Sequence, residues 1–284
     1  MNEYNDILIA TDGSDVATDA ATAGIALAET LSASVHALSV VEEGRGSDDR
    51  QKRREEYATE VATRASETDL ESAAVIRAGR PASTILEHAD EVDADLIVVG
   101  THGRTGLRQA LLGSVALEVI RDAQRPVLTV GAKTGGRTDL ADGGVDDVCL
   151  ATDGLTGSAA ATEHALALAD ACDATLHVLY AVEPDGDPEN EAVRSAFEKH
   201  GEKTTAGVAE RADERGVDTV GAVEQGAPTD IVLEYTERDD VDLVVMGTES
   251  KSNIERLVVG SVSQRVVPNA SVPVLTVRTL ASDS

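Results

Sequence analysis

Three glycines and a serine within residues 98–116 (VVGTHGRTGLRQALLGSVA) have the spacing of an anion-binding loop. Gly100, Gly103, Gly113 and Ser114 form the pattern G-x2-G-x9-G-S between an apolar segment and a predicted helix. Glycine lets the backbone approach a ligand, and the free N–H groups at a helix N-terminus bind anions. We expect Ser114 to cap that helix and to add its hydroxyl to the site. Phosphate is the natural ligand of such a loop.

Two arginines, Arg104 and Arg108, lie inside this loop and would add positive charge beside the anion. The pattern is neither a Walker loop nor the dinucleotide motif, because no GK[ST] occurs and the glycines follow the fourth predicted strand. Taken alone, the stretch fits a glycine-rich turn with an ordinary helix cap equally well.

A second polar segment, Ala10-Thr11-Asp12-Gly13-Ser14, follows the first predicted strand. The carboxylate of Asp12 could accept hydrogen bonds from ribose hydroxyls or hold a metal ion. It could equally satisfy backbone N–H groups at the start of the next helix. The residues themselves leave both interpretations open.

The chain carries an internal repeat. Three segments return: DILIATDGSD at 6–15 as DVCLATDGLT at 147–156, ADLIVVGT at 94–101 as VDLVVMGT at 241–248, and RPVLTV at 125–130 as VPVLTV at 272–277. The first pair is 141 positions apart and the others 147, so the second copy has six extra residues. We place them in a loop at 181–192, where insertions cost least. The repeat predicts domains at 1–132 and 146–284, joined by a flexible linker at 133–145.

Within one copy, short apolar runs alternate with longer amphipathic stretches. The first copy predicts strands near 6–11, 34–41, 72–77, 95–100 and 126–130, and helices at 14–31, 48–68, 82–92 and 114–123. Strands that are apolar on both faces indicate a parallel sheet covered by helices. The fold class is therefore α/β, with two tandem doubly wound domains. In such sheets, ligands bind beyond the carboxyl ends of the strands, where the strand order reverses.

The composition restricts the function. The net charge of −28, from 52 acidic and 24 basic residues, argues against nucleic-acid binding, which needs a basic surface. Acidic residues spread along the whole chain indicate a solvating coat, so we expect a salt-rich cytoplasm and a fold that weakens at low ionic strength. No basic leader precedes an apolar segment and no apolar run could span a membrane, so we expect a cytoplasmic protein without membrane contact. The two cysteines imply no disulfide framework.

The aspartate after the first strand, the long glycine pattern after the fourth and the final PVLTV strand together resemble the universal stress protein family in a tandem two-domain form. The resemblance implies an adenine nucleotide alpha hydrolase-like domain that binds ATP, with or without Mg²⁺ on Asp12, on a five-stranded sheet of order 3-2-1-4-5. It implies adenine and ribose contacts at Ala10, Asp12 and Val40. It implies phosphate contacts at Gly100, Gly103, Gly113, Ser114 and Val115. We add to the predicted site four residues of the same two segments, Thr11, Thr101, His102 and Arg104.

The resemblance also bears on assembly. It implies dimerisation through the final strand, so we expect residues 126–130 and 272–277 to pair inside one chain as a pseudo-dimer. Such an apolar strand at an open sheet edge would otherwise invite aggregation. Whether two chains also form a homodimer is left open by the resemblance.

The second copy departs from the pattern of the family. The corresponding residues of its weaker site are Asp153, Gly247, Gly260, Ser261 and Val262. Ser250 replaces the middle glycine, while Glu249 and Glu255 bring negative charge to a loop that should face an anion. Ser261 and Gln264 also have the spacing of a capping box, which would satisfy part of the site internally. We therefore expect the first copy to bind ATP and the second to bind weakly or not at all.

The other polar residues do not predict an enzyme. No nucleophile elbow or zinc-protease motif occurs, and His36 and His177 occupy equivalent strand positions that favour a structural role. Three hypotheses remain. The nucleotide is a regulatory ligand in a stress response, or it is hydrolysed slowly with Mg²⁺ on Asp12, or the chain is a nucleotide-free interaction module. We rank them in that order.

Overall fold

The computed structural model describes residues 4–42, 48–102, 112–134, 144–183, 191–238, 241–248 and 259–279. The chain divides into two compact units, Met1–Gly144 and Val145–Ser284. Each unit is an α/β domain built on a parallel sheet, as the alternating pattern predicted.

Unit 1 alternates strands and helices along the chain. Its elements are β1 (Asp6–Ala10), α1 (Asp15–Leu31), β2 (Ser34–Val41), α2 (Asp48–Ser66), β3 (Ser72–Ala78), α3 (Pro81–Glu91), β4 (Leu96–Gly100), α4 (Ser114–Asp122) and β5 (Val127–Val130). All strand pairs are parallel, and the order within the unit is β3-β2-β1-β4-β5. The predicted strand order is confirmed, and every predicted element is observed with ends shifted by no more than two residues.

Unit 2 repeats this plan. Its elements are β6 (Asp147–Ala151), a 3-10 turn (Thr156–Ser158), α5 (Ala159–Cys172), β7 (Thr175–Val182), α6 (Glu191–Asp213), β8 (Thr219–Gln225), α7 (Pro228–Arg238), β9 (Leu243–Gly247), α8 (Ser261–Val266) and β10 (Val274–Val277). Its strands run parallel in the order β8-β7-β6-β9-β10, which is the order of unit 1.

The core of unit 1 lies between its central strands and α1. Residues 7–9 of β1 and Leu96–Val99 of β4 are buried, because helices cover both faces of the sheet. Small residues bring α1 close to the sheet: a Cβ on Gly24 would lie 3.0 Å from Ile9 Cδ1 and 3.1 Å from Val98 Cγ1. The helix begins after Ser14, whose Oγ accepts from Ala17 N at 3.3 Å. This cap fixes where the positive end of α1 meets the strand ends.

The six extra residues of the second copy lie mostly in a helix, which corrects the predicted loop insertion. Helix α6 has 23 residues and its counterpart α2 has 19, so four of the six lengthen the helix. An added turn on an exposed helix keeps every backbone hydrogen bond satisfied, and so costs little.

Paired histidines and aspartates hold the opposite, amino edge of each sheet. His36 Nε2 lies 2.9 Å from Asp6 Oδ1, and His177 Nε2 lies 2.7 Å from Asp147 Oδ1. His177 Nδ1 also lies 2.9 Å from the hydroxyl of Tyr235. These contacts are what the expected structural role of both histidines requires.

Two further predictions concern cysteines and membranes. Cys149 is buried and Cys172 half-buried, and the two form no disulfide; burial raises the pKa of Cys172 to about 11. Among the described residues, no helix combines the length and the apolar character needed to cross a bilayer.

Candidate functional site

The two predicted motifs of unit 1 lie side by side. Strand β1 pairs with β4, with Ile9 opposite Val98, so the turns that follow these strands leave the same edge of the sheet. The strand order reverses between β1 and β4, since β2 lies beyond one and β5 beyond the other. Such a point opens a crevice between neighbouring loops.

The turn after β1 is held by its own polar side chains. Ser14 N donates to Asp12 Oδ1 at 3.0 Å, and Gly13 N donates to Thr11 Oγ1 at 3.2 Å. Ser39 Oγ of β2 donates to the carbonyl oxygen of Thr11 at 2.8 Å. Asp12 thus performs the backbone role that the sequence left open, and this role leaves its half-buried carboxylate at the edge of the sheet.

The segment after β4 meets the start of α4. Gly113 N donates to the carbonyl oxygen of Thr101 at 2.7 Å, and Thr101 Oγ1 lies 3.0 Å from His102 Nδ1. A Cβ on Gly113 would lie 3.0 Å from Thr101 O and 3.1 Å from His102 Cα. The glycine therefore permits a tight entry into α4, as the sequence indicated.

The expectation that Ser114 caps α4 is wrong. Gly113 is the N-cap, with extended backbone angles, and its carbonyl accepts from Leu117 N at 2.9 Å. Ser114 is the first helical residue and is exposed. Gly113 has no side chain, so the N-cap residue offers no side-chain cap to the first N–H groups of α4, which also lack partners within the helix.

Gly100 also has a packing role in the fold. A Cβ on this residue would lie 3.1 Å from Val16 Cγ1 and 3.2 Å from Ala17 N. The neighbour that requires glycine is therefore the first turn of α1, and not a ligand alone. Consequently the N-terminal turns of α1 and α4 both border the end of β4, and each presents the positive end of a helix dipole.

The remaining predicted residues divide into three groups. Ala10 and Val40 are buried at the ends of β1 and β2, with 9% and 7% of their surface exposed. Val115 is half-buried in the first turn of α4. Gly103 and Arg104, together with Arg108, Glu249, Ser250 and Glu255, lie outside the described residues.

Sequence reasoning missed Tyr57. This residue of α2 places its ring against Gly13, in the space that a Cβ would occupy. Gly13 has a φ of +74°, which disfavours any other residue. No local motif links two residues 44 positions apart. The one signal in the sequence was that aromatic residues form only 2% of the chain, which makes each of them a candidate for a specific role.

Unit 2 closes the corresponding turn on itself. Asp153 Oδ1 accepts from Leu155 N and from Ser158 Oγ, each at 3.0 Å. Leu155 stands where Ser14 caps α1 and has no side-chain oxygen to accept a capping hydrogen bond, and a 3-10 turn precedes α5. This turn places the carbonyl oxygen of Gly157 2.5 Å from a Cβ position on Gly247.

The predicted capping box of unit 2 is absent, because Gly260 already occupies the N-cap of α8. Gln264 N donates to Gly260 O at 3.0 Å, and Gln264 Nε2 donates to Val259 O at 2.6 Å. Ser261 is exposed and Val262 half-buried in the first turn. Ser263 Oγ instead donates to Gly247 O at 2.9 Å.

A tyrosine fills the end of β7 in unit 2. Tyr180 stands where β2 has Ser39, is 6% exposed, and packs edge-on against His200 with ring centroids 5.8 Å apart. Burial raises the pKa of Tyr180, and the charge of Asp153 raises it further. The ring therefore lies near the aspartate that corresponds to Asp12.

The described residues contain no group of three or more His, Cys, Asp or Glu side chains that could hold a metal ion. Asp12 would therefore need ligand oxygens to complete a Mg²⁺ shell. A groove of about 670 Å³ runs along the outer face of α2, lined by residues of that helix such as Lys52, Glu56 and Glu60. It lies apart from the ends of β1 and β4.

Comparison with known proteins agrees with this architecture. The model of the universal stress protein family matches twice, at residues 3–131 and 144–278. A universal stress protein of Methanocaldococcus jannaschii is 33% identical over 137 residues, which cover 46% of this chain and 81% of that protein.

Two solved structures from Archaeoglobus fulgidus are also similar. A universal stress protein covers 98% of this chain and 99% of its own, with a TM-score of 0.74 and 20% identity, which supports the fold. A second universal stress protein, in complex with dAMP, is 27% identical and covers 46% of this chain and 99% of its own, with a TM-score of 0.37. From the two family matches, the chain belongs to the universal stress protein family and carries its domain twice in tandem.

Proposed function

We propose that this chain binds ATP chiefly in unit 1, and that the nucleotide acts as a regulatory ligand rather than as a substrate. The observation that carries the preference is the group packed against the end of each fourth strand. In unit 1 it is the first turn of α1, near Ala17 N; in unit 2 it is the carbonyl oxygen of Gly157. The positive end of a helix attracts phosphate, whereas a carbonyl oxygen repels it.

Two further features favour unit 1. Asp153 of unit 2 is engaged by the hydroxyl of Ser158, which competes with a ribose for the same oxygen. Tyr180 occupies space at the end of β7 where unit 1 has the small Ser39. A ligand in unit 2 would have to displace a packed ring and break a buried hydrogen-bond network, and both changes cost free energy.

The site residues of the proposal are those that the resemblance implies and that border the reversal point. In unit 1, Asp12 would face the ribose, while Thr101, Gly113 and Ser114 would face phosphate through the first turn of α4. A preorganised set of backbone N–H groups can bind an anion without help from a basic surface. The acidic coat and an anion site are therefore compatible.

The experiment is extraction of the small molecules that co-purify with the chain in molar KCl, followed by calorimetry with ATP. We expect an adenine nucleotide in the extract and saturable ATP binding. The absence of ATP binding would contradict the proposal and favour the nucleotide-free interaction module. Phosphate release that is lost in Asp12→Asn would instead identify a slow Mg²⁺-dependent ATPase.

We further propose that the final strands, β5 and β10, pair inside one chain. Support comes from their position at one end of the strand order of each unit and from their apolar sequence VLTV. If the chain is cut at a protease site introduced in the predicted linker at 133–145, the two units should stay associated on gel filtration, and their separation would contradict the pairing. A salt-rich cytoplasm remains the compositional proposal for its environment.

A further inference from the structure

Tyr57 brings an aromatic ring to the carboxyl edge of unit 1. The ring lies against Gly13, immediately after Asp12 in the turn that follows β1. The side chain is half-buried, so part of its surface stays open at the edge where the strand order reverses. Ligands of doubly wound sheets bind at this edge.

Helix α2 extends beyond this contact. Arg64, two turns after Tyr57, donates from Nη2 to Thr22 Oγ1 at 2.7 Å and docks the helix beside α1. The nine residues 48–56 precede Tyr57 and rise about 13 Å along the helix axis. Nearly all of them are exposed, as expected for a segment that overhangs the turn after β1.

Three arginines share the helical face of Tyr57 on this overhang. Arg50, Arg53 and Arg54 precede the tyrosine by seven, four and three residues, spacings that place side chains on one side of a helix. The segment 48–56 also carries Asp48, Asp49, Glu55 and Glu56, so its four basic and four acidic residues balance, within a chain whose net charge is −28. A flat ring beside guanidinium groups suits a ligand that joins a planar base to an anionic group.

Unit 2 provides an internal comparison. Thr204 of α6 packs against Gly154, with Oγ1 2.5 Å from the Cβ position, so the two helices have the same register. The residues seven, four and three positions earlier are Phe197, His200 and Gly201. At the position of Tyr57, unit 2 therefore has a threonine, and none of the residues at the positions of the three arginines carries a guanidinium group.

We infer that Tyr57 is a specificity-determining residue of unit 1, and that its ring stacks on the nucleobase of the bound nucleotide. Arg50, Arg53 and Arg54 add positive potential on the same side. This inference rests on the proposed function, which it extends from an anion site to a site that also recognises a base.

Tyrosine fluorescence offers a direct readout, because the chain has no Trp and four Tyr. The other three, Tyr4, Tyr180 and Tyr235, are 1%, 6% and 4% exposed, so a change on adding ATP reports mainly on Tyr57. We expect ATP in molar KCl to change the emission of the wild-type chain. Tyr57→Phe should abolish that change and keep the affinity within about threefold, because phenylalanine still stacks.

Two more variants and a second probe complete the test. Tyr57→Thr, which installs the residue of unit 2, should weaken ATP binding about tenfold or more and leave binding of inorganic tripolyphosphate unchanged, since that ligand has no base. Tyr180→Phe is the matched control in unit 2 and should retain both the emission change and the affinity. Thermal melts of each variant establish that it folds.

The outcomes separate this inference from the proposed function. If Tyr57→Thr binds ATP as tightly as the wild type, or if Tyr57→Phe keeps the full emission change, stacking on Tyr57 is refuted while ATP binding stands. Equal losses for ATP and tripolyphosphate in Tyr57→Thr would also refute stacking. If calorimetry finds no ATP binding by the wild-type chain, the proposed function itself fails.

Discussion

A single methyl group on Gly113 should weaken both the fold of unit 1 and its nucleotide site. The Cβ of Gly113→Ala would lie 3.0 Å from Thr101 O and 3.1 Å from His102 Cα, so α4 must move by a few tenths of an ångström. Overpacking of this kind costs about 1–3 kcal/mol, and alanine is also a poorer N-cap than glycine. The backbone angle does not add strain, since φ is −66°.

The expected magnitude follows from these terms. Alanine also lowers the entropy of the unfolded chain, which offsets about 0.4–1 kcal/mol of this cost. The free energy of unfolding should therefore fall by about 1–2 kcal/mol, and the melting temperature by about 3–8 °C. The shift also moves the first N–H groups of α4 away from a phosphate. A loss of about 1 kcal/mol from such charged hydrogen bonds lowers ATP affinity about fivefold.

The matched control is Gly260→Ala in unit 2. Gly260 has the same role, with φ −60° and a hydrogen bond from its N to Thr248 O at 2.6 Å. The assay is calorimetry with ATP in molar KCl, accompanied by thermal melts. Both variants should lose stability, but only Gly113→Ala should lose affinity. Equal affinity losses in the two variants, or unchanged binding in Gly113→Ala, would refute the reasoning.

Three further predictions concern the whole chain. With a net charge of −28, the melting temperature should fall as KCl is lowered from molar to millimolar concentrations, and a flat profile would contradict the solvating-coat interpretation. Burial, and then Asp15, raises the pKa of Asp19 above its ordinary 3.8, so its ionisation disfavours the fold as pH rises through the folded pKa. Asp19→Asn should therefore raise the free energy of unfolding, measured by denaturant titration, by less than about 1 kcal/mol at pH 7 and leave it unchanged at pH 3; an equal gain at both pH values would contradict this. Because the pKa of Cys172 is about 11, iodoacetamide should label the folded chain slowly at pH 8 and the unfolded chain rapidly; rapid labelling of Cys172 in the folded chain would argue against its burial.

The sequence predicted the elements of unit 1 well, because long amphipathic helices alternate with strands that are apolar on both faces. It also placed the motifs after β1 and β4 at one edge, since that follows from the topology of a doubly wound sheet. The different starts of α1 and α5 could also have been predicted from the sequence. Leu155 replaces the capping Ser14, and a leucine cannot accept the hydrogen bond of an N-cap.

Other features depended on contacts between distant residues. Serine is a common N-cap residue, but Ser114 and Ser261 each follow a glycine that already occupies the N-cap position. The contact between Tyr57 and Gly13 joins a helix to a turn, and no spacing rule predicts it. Periodicity and capping chemistry are local, whereas the space left at a strand end depends on tertiary packing.

The number of ATP molecules bound per chain tests the central claim most directly. Titration calorimetry of the full chain in molar KCl should give a stoichiometry of one, and Tyr57→Thr or Gly113→Ala should weaken that single site. Two sites of equal affinity per chain would contradict the account. Unit 2 would then bind ATP as well as unit 1, and neither Gly157 O nor Tyr180 would hinder binding there.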